Sequence, residues 1–348
     1  MGVVNRKGIS KLKKRSISIL LILALLLGIF YFWGSSSNLP FEEYASVYSL
    51  AFEDSVFEED SFRLMTYNMG YLSGMTNNLA VDRDKDLFDK NMKRLNSLLS
   101  SLQIDLLCLQ EIDFHSKRSF YVDQLDAIAE KSAYPHASRV INWDKKYVPF
   151  PYWPFTLQFG EVLSGQAIVS RFPILENERI VLATADNPFY YAAFYLDRLA
   201  QVNLLSIGGR DVVVINVHLE AWDARARERQ ADQLIALYKK YEKDFPTLIV
   251  GDFNSTPPGS KNPYMEETTI EKLLAIDGLK MAIGWEEYLQ DEEAYFTFNS
   301  IEPYIKIDHI FYNSSKIMVK NARVVREAGD VSDHLPVMAD VIFIEDAP

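Results

Sequence analysis

Six short stretches of the chain end in side chains able to hold a cation, carry a proton or donate to an anion. They are Asn68 in TYN, Gln110 and Glu111 in LQEID, His218 in NVHLE, Asp252 and Asn254 in GDFN, Asp308 and His309 in KIDHIF, and Asp333 with His334 in VSDHLPV. Carboxylates and amides are hard oxygen donors suited to Mg²⁺ or Mn²⁺, whereas a zinc site draws more naturally on several histidines or cysteines. Taken singly, each is ordinary: a Glu after a strand is usually a solvated loop residue, and a lone His is as often a buried hydrogen-bonded group as a functional one. What sets them apart is that each closes an apolar run of strand length.

Those runs are the elements that must position the chemistry. FRLMTYN (62–68), DLLCLQE (105–111), GQAIVSR (165–171), RDVVVINVHL (210–219), TLIVGDFN (247–254) and KIDHIFY (306–312) have the length and β-branched content of strands. Between them Phe88, Met92, Leu95, Leu99 and Leu102 recur at helical spacing, as do Leu234, Leu237, Tyr238 and Tyr241. A near-continuous run such as VVVINV predicts sheets covered on both faces, hence two sheets packed together with helices outside. The polar strand ends then gather along one rim. Alternation along an extended segment places Asp252 and Asn254 on the site side with Phe253 in the core, and turns His309 away from the site. Gly251 is expected to let the backbone pass close to the site.

The remainder of the chain bounds the setting. Hydrophobic residues make up 48% of 348 residues, enough for a large core, and no repeat or low-complexity tract divides 61–345. Arg6, Lys7, Lys11, Lys13, Lys14 and Arg15 precede an uncharged run, Ile17 to Trp33, that would span about 25 Å as a helix. The expected organisation is a basic cytoplasmic tail (1–16), a transmembrane signal anchor (17–33), an acidic linker (34–60) and one extracytoplasmic catalytic domain (61–345). A cleaved signal peptide is the competing reading, because GSSS supplies small residues after the apolar run. The single cysteine, Cys108, lies in an apolar run, is expected in the core and excludes an internal disulfide. The chain carries 36 basic and 48 acidic residues, and six of the basic ones precede Ser16, so the rest is more acidic than the net charge of −12 conveys. Such a surface is poorly suited to sequence-independent grip on nucleic acid.

In the order TYN, QE, VHL, GDFN, DHI, SDHLPV, the blocks from residue 62 to about 344 resemble the endonuclease/exonuclease/phosphatase (deoxyribonuclease I-like) superfamily, closest in character to its neutral sphingomyelinase-type and exported phosphodiesterases. The resemblance implies an α/β four-layer sandwich, two mixed β-sheets flanked by helices, here preceded by one N-terminal transmembrane helix. It implies Glu111 as the principal Mg²⁺ ligand, with Asn68 and Asp333 beside it and Mn²⁺ as an alternative ion. Asp252 would orient or deprotonate the attacking water and Asn254 would donate to a phosphoryl oxygen. His334, held by Asp308, would polarise the phosphate or act as base, and His218 would donate to phosphate or leaving oxygen. These parts meet the needs of phosphodiester hydrolysis: an in-line water, a cation to offset charge and a donor for the departing oxygen.

The substrate is read from the aromatic stretches. YVPFPYWPFTLQF (147–159) and FYYAAFY (189–195) are either cover over a sheet edge or a lipid-facing rim, since Trp and Tyr suit the headgroup region. A phospholipid or sphingolipid headgroup is therefore the expected substrate of a monomeric, membrane-anchored phosphodiesterase. An exported nuclease is the alternative; its one basic feature is DARARER (223–229), where Arg225, Arg227 and Arg229 alternate at a helix start. A non-catalytic binding protein on the same fold is the third reading.

Overall fold

The computed structural model describes residues 6–50 and 61–344, with the side chains of residues 6–13 left aside. Residues 1–5 of the expected tail, 51–60 of the expected linker and residue 345 lie outside the described residues.

A long helix, α1 (Arg6–Gly34), precedes a body of two sheets. The first sheet is built from β1 (Ala45–Ser49), β2 (Ser61–Asn68), β3 (Leu106–Asp113), β4 (His136–Val148), β5 (Gly160–Ser170), β12 (Ile317–Val324) and β13 (Val337–Phe343). The second holds β6 (Ile174–Val181), β7 (Leu199–Ile207), β8 (Arg210–His218), β9 (Thr247–Asp252), β10 (Leu279–Met281) and β11 (Asp308–Asn313). Their orders are β1-β4-β5-β3-β2-β13-β12 and β10-β11-β9-β8-β7-β6. Two parallel pairs, β2 with β3 and β8 with β9, sit among antiparallel neighbours, so both sheets are mixed.

Helices cover the outer faces. On the first sheet α2 (Lys85–Leu102) buries Phe88, Leu95 and Leu99, and α3 (Gln124–Lys131) buries Leu125 and Ile128. Asp84 starts α2 by accepting from the Asp86 amide, and Gln103 ends it in the left-handed region. On the second sheet α5 (Ala224–Tyr241) lays Leu234 and Tyr238 against Val213, Ile215, Val217 and Ile249. Each such buried side chain contributes about 1.5–3 kcal/mol relative to exposure. This is the expected α/β sandwich of two mixed sheets between helices. Short helices α4 (Phe189–Ala192), α6 (Thr269–Leu274) and α7 (Trp285–Gln290) sit in the connections.

Between the sheets the core is partly polar. Gln110 donates to Asn216 Oδ1 at 2.6 Å, Asn216 donates to Gln201 Oε1 at 3.1 Å, and Gln201 donates to Ser138 at 3.0 Å. Gln110, grouped with the rim by its place at a strand end, belongs to this interior layer.

The stretch expected as a linker is in part built into the body. The Asp144 carboxylate accepts from the Asn38 and Leu39 amides at 2.8 and 2.9 Å and from the Tyr44 hydroxyl at 3.1 Å. Immediately afterwards β1 pairs with β4 along its whole length. The acidic composition concealed an edge strand, whose Tyr48, with Tyr44 and Leu50 on either side of the strand, packs against the main core.

Candidate active site

Strand register places one row of the site on the second sheet. His218 ends β8 opposite Asp252 at the end of β9, and Asp252 in turn lies opposite Asp308 at the start of β11. Gly251 serves this sheet: a Cβ there would meet the Val217 carbonyl oxygen at 2.0 Å, and its φ is +140°. The close approach it permits is therefore to the neighbouring strand, not to the site as expected.

Phe253 is fully buried and packs edge-on to His309 at 5.4 Å between ring centroids. His309 faces this outer core, with Nε2 at 2.9 Å from the Ser255 carbonyl, and stays out of the site row. Asn254 does not follow by simple alternation, because β9 stops at Asp252 and Asn254 adopts φ 49°. That left-handed turn lets its amide hydrogen bond to Asp252 Oδ1 at 2.8 Å while one side-chain hydrogen goes to the Leu219 carbonyl.

The first sheet supplies the facing edge. Asn68 ends β2 opposite Gln110, and Asn68 Nδ2 donates to Asp252 Oδ2 across the site at 2.9 Å. Glu111 follows Gln110 at a register shift between Leu109 and Ile112, with φ 49°. The extra residue of this bulge turns Glu111 out of the sheet interior and toward the rim. Before β13, Ser332 accepts from the His334 amide and donates to the Asn68 carbonyl at 2.8 Å, fixing Asp333 and His334 over the end of β2.

The structure thus brings Asn68, Glu111, His218, Asp252, Asn254, Asp308, Asp333 and His334 to one rim. Two subsets emerge. In the first, His334 Nδ1 lies 3.0 Å from Asp308 Oδ2 and Nε2 lies 3.8 Å from Asp252 Oδ2. In the second, Asn77 Nδ2 donates to Glu111 Oε2 at 2.9 Å and to the two Asp333 oxygens at 3.2 and 3.3 Å. His218 stands between them, Nε2 being 3.5 Å from Asp252 and 3.8 Å from Glu111. Asn77 carries no signal in the sequence; it sits in an irregular loop. Gly70 makes room beside it, since a Cβ there would lie 2.7 Å from Asp333 Oδ1.

Burial sets the protonation states. It pushes the Asp252 carboxyl up to about 7 despite the opposing pull of His334. Burial also raises Glu111, and the neighbouring Asp333 charge raises it further. For His334 burial favours the neutral ring, but Asp308 and Asp252 outweigh it and hold the imidazolium well above the usual range. His218 goes the other way, kept neutral by burial and then by the Arg198 and His334 charges.

The donor set at Glu111 and Asp333 fits a hard divalent cation, whereas Asn68, expected beside them, spends Nδ2 on Asp252 and its oxygen on the Gly70 amide. Buried Asp333 and part-buried Glu111 share a single amide nitrogen there, and no cationic side chain hydrogen-bonds either one among the described residues. Asp252, Asp308 and His334 also bring ligand atoms within 4.8 Å of one another. There the imidazolium already offsets the carboxylates, so the demand for added positive charge lies on the Glu111 side.

Beyond His218 a cavity of about 610 Å³ opens, with Glu220, Tyr195 and Trp222 in its lining. Of the expected basic feature at the start of α5, Arg227 is fully buried and donates to the Glu220 carbonyl, whereas Arg229 is exposed and donates to Thr184 O at 2.9 Å, and exposed Arg225 lines the cavity. Cys108 is buried as expected.

A sequence profile of the Endonuclease/Exonuclease/phosphatase family matches residues 65–334. Among curated proteins, the probable CCR4-Not complex 3'-5'-exoribonuclease subunit Ccr4 of Vairimorpha ceranae is 24% identical over 291 residues, 75% of this chain. The chain spans 58% of that relative's length. An endonuclease/exonuclease/phosphatase from Beutenbergia cavernae superposes with TM-score 0.59 at 22% identity, over 81% of this chain and 72% of that one. The human Nocturnin catalytic domain with bound sulfate gives TM-score 0.56 at 18% identity, covering 88% of this chain and all of that one. Both structures share the fold.

Proposed function

The chain belongs to the endonuclease/exonuclease/phosphatase family of metal-dependent phosphoric ester hydrolases, and on that premise we propose that it is a membrane-anchored phosphodiesterase acting on a phospholipid or sphingolipid headgroup. Family membership makes it an enzyme, so a purely non-catalytic role falls away. The observation that carries the lipid reading is the seating of α1. Residues Lys14–Gly34 form a helix of mean hydropathy 2.5, long and apolar enough to cross a membrane. Its final turns pack Phe30 on Tyr147 and Phe194, and Tyr31 on Phe189, at 5.7–6.2 Å between ring centroids. Both aromatic stretches of the body are thereby tied to the end of the apolar helix, and Tyr152, Trp153, Phe155 and Phe189 remain exposed beside it. An exposed aromatic rim at that level suits the headgroup region.

In this reading residues 17–33 anchor the chain, with 1–16 cytoplasmic and a monomeric catalytic body outside, beginning near residue 35 because Asp144 and β4 hold the segment that follows. Glu111 and Asp333 would hold Mg²⁺, or Mn²⁺, which supplies positive charge to the phosphoryl oxygens. Asp252, near 7 in its titration, orients the water and receives its proton. His334 already carries a proton between Asp308 and Asp252, so it donates to a phosphoryl oxygen; the remaining amide hydrogen of Asn254 does the same. Neutral His218 would steady the leaving oxygen with a hydrogen bond, and that oxygen takes its proton from solvent water once the P–O bond has broken.

A second reading, a nuclease, draws on the exoribonuclease naming of the curated relative. The acidic body and the buried Arg227 weigh against a phosphate-tracking surface. Full-length protein with Mg²⁺, offered sphingomyelin or phosphatidylcholine vesicles, single-stranded RNA, plasmid DNA and inositol phosphates, is expected to release the lipid headgroup. Cleavage of nucleic acid with vesicles untouched would replace the lipid reading with the nuclease one.

A further inference from the structure

The cavity next to the catalytic row has a chemistry that the hydrolytic site does not use. It begins where that row ends, since Glu220 of its lining lies two residues beyond His218. Its other side is formed by Tyr191, on α4, whose first residue Phe189 touches Tyr31 of the apolar helix. The cavity therefore lies between the phosphate-handling residues and the end of α1.

Three aromatic side chains, Tyr191, Tyr195 and Trp222, line it. Tyr191 and Tyr195 stand 5.1 Å apart at 31°, and Trp222 opposes solvent with 71% of its surface exposed. Glu220 is fixed within this wall: Arg198 lies 3.3 Å from it, the Trp222 amide donates to it at 3.0 Å and the Tyr195 hydroxyl reaches it at 3.5 Å. With Glu220 matched by Arg198, the charges left facing the cavity are Asp186 and Asp223 against Arg225. None of these three enters an ion pair among the described residues, and Asp223, the cap of α5, keeps one carboxylate oxygen on the Ala226 amide at 3.0 Å. An aromatic wall with a surplus of carboxylates attracts an organic cation, through the ring quadrupoles and the acidic field together. A nucleobase would also stack on Trp222, but being neutral it would gain no charge attraction from Asp186 and Asp223.

We propose that this cavity is a subsite for an organic ammonium group, the cationic end of a zwitterionic headgroup whose phosphate sits between His334 and Glu111. The inference deepens the lipid reading and rests on it for the source of the group. The aromatic wall holds the ammonium, the neighbouring row cleaves the ester, and the docking of α4 on α1 sets the subsite on the bilayer side. A headgroup bearing only hydroxyls can hydrogen-bond the carboxylates but brings no positive charge to the rings or the acidic field, so headgroups are sorted by charge.

The test is direct binding on detergent-solubilised full-length protein, with choline chloride titrated by calorimetry against sodium chloride and adenosine monophosphate. Saturable choline binding is expected, weakened at least tenfold by Trp222→Ala, retained by Trp222→Phe, with no binding of the nucleotide in the cavity. Trp222 is exposed, so its replacement leaves the fold in place. A lack of choline binding, choline binding indifferent to Trp222→Ala, or nucleotide binding that Trp222→Ala removes would each overturn the proposal. In hydrolysis, the preference for phosphatidylcholine over phosphatidylglycerol vesicles should fall about tenfold in Trp222→Ala, and an unchanged preference would also overturn it. If no vesicle is cleaved, the lipid reading fails alone, because the choline titration still decides the subsite.

Discussion

Along the edge of the second sheet, Asp252 and Asp308 lie on either side of the His334 ring, whereas at the edge of the first sheet Glu111 and Asp333 share only the Asn77 amide. Each edge holds two carboxylates, all of them buried but the part-buried Glu111. The second carries its own counter-charge, an imidazolium held by Asp308 and Asp252 against the cost of burial. The first has no cationic side chain hydrogen-bonded to it among the described residues, and burial with the like charge of Asp333 outweighs the pull of His334 and Arg118, so Glu111 is raised. A group that is balanced in the folded protein can handle a proton; a group left unbalanced calls for a cation from outside. The site is thus divided into a proton-handling edge and a metal-demanding edge, joined by neutral His218.

The sharpest way to break this division is to remove one member of each edge. Glu111→Gln and His334→Ala should each lower kcat by about 10³-fold or more, in line with losses on removing residues that act together at a reacting centre. Their metal titrations should part company. Glu111→Gln should abolish Mg²⁺ binding seen by calorimetry, and His334→Ala should bind it as the parent does. Equal loss of metal affinity in both would dissolve the two-edge description and move His334 into the metal site.

The two edges also differ in how far the sequence disclosed them. His218 and Asp252 close β8 and β9 while Asp308 opens β11 rather than closing a strand, all three at regular register positions, so they were legible as a group, unlike Asn254 in its left-handed turn beyond β9. Glu111 was legible as a residue but not in its aim, because a bulge with φ 49° decides whether Gln110 or Glu111 faces the rim. Asn77 was not legible at all: it lies in a loop, its neighbour Asn78 has φ 58°, and nothing periodic marks it. Strands β4, β6 and β7 escaped notice for a related reason. In β7, Gln201 and Asn203 point into the inter-sheet layer, and their polarity hides a fully buried face. The outer architecture follows from apolar periodicity, whereas the polar interior depends on partners distant in the chain.

Asn77 offers a milder probe of the metal-demanding edge. It touches both carboxylates but would not ligate through the atom that bridges them, so Asn77→Ala should weaken Mg²⁺ affinity by about 10- to 100-fold, the usual effect of losing a supporting hydrogen bond. Excess Mg²⁺ should restore turnover toward the parent value. Turnover that stays low at saturating metal would assign Asn77 to the substrate instead.

The smallest expected effect carries an unusual sign. In metal-free protein the ionised Glu111 carboxylate is a cost, since burial and Asp333 raise its folded pKa above the unfolded value. Such a group loses stability as pH rises above its unfolded pKa, and the loss persists above the folded one. Glu111→Gln removes the charge and keeps the hydrogen-bonding shape, so the inactive variant should be more stable than the parent at neutral pH, by about 0.5–2 kcal/mol. Chelated protein melted at pH 5 and pH 8 would show the gain growing with pH. Added Mg²⁺ should reverse the order, because only the parent gains binding energy, about 2.7 kcal/mol at a hundredfold excess over Kd. A Glu111→Gln variant that melts lower than the parent under chelation would mean that Asn77 and the surrounding dipoles already balance the carboxylates, and the contrast between the two edges would then lie in geometry rather than in charge.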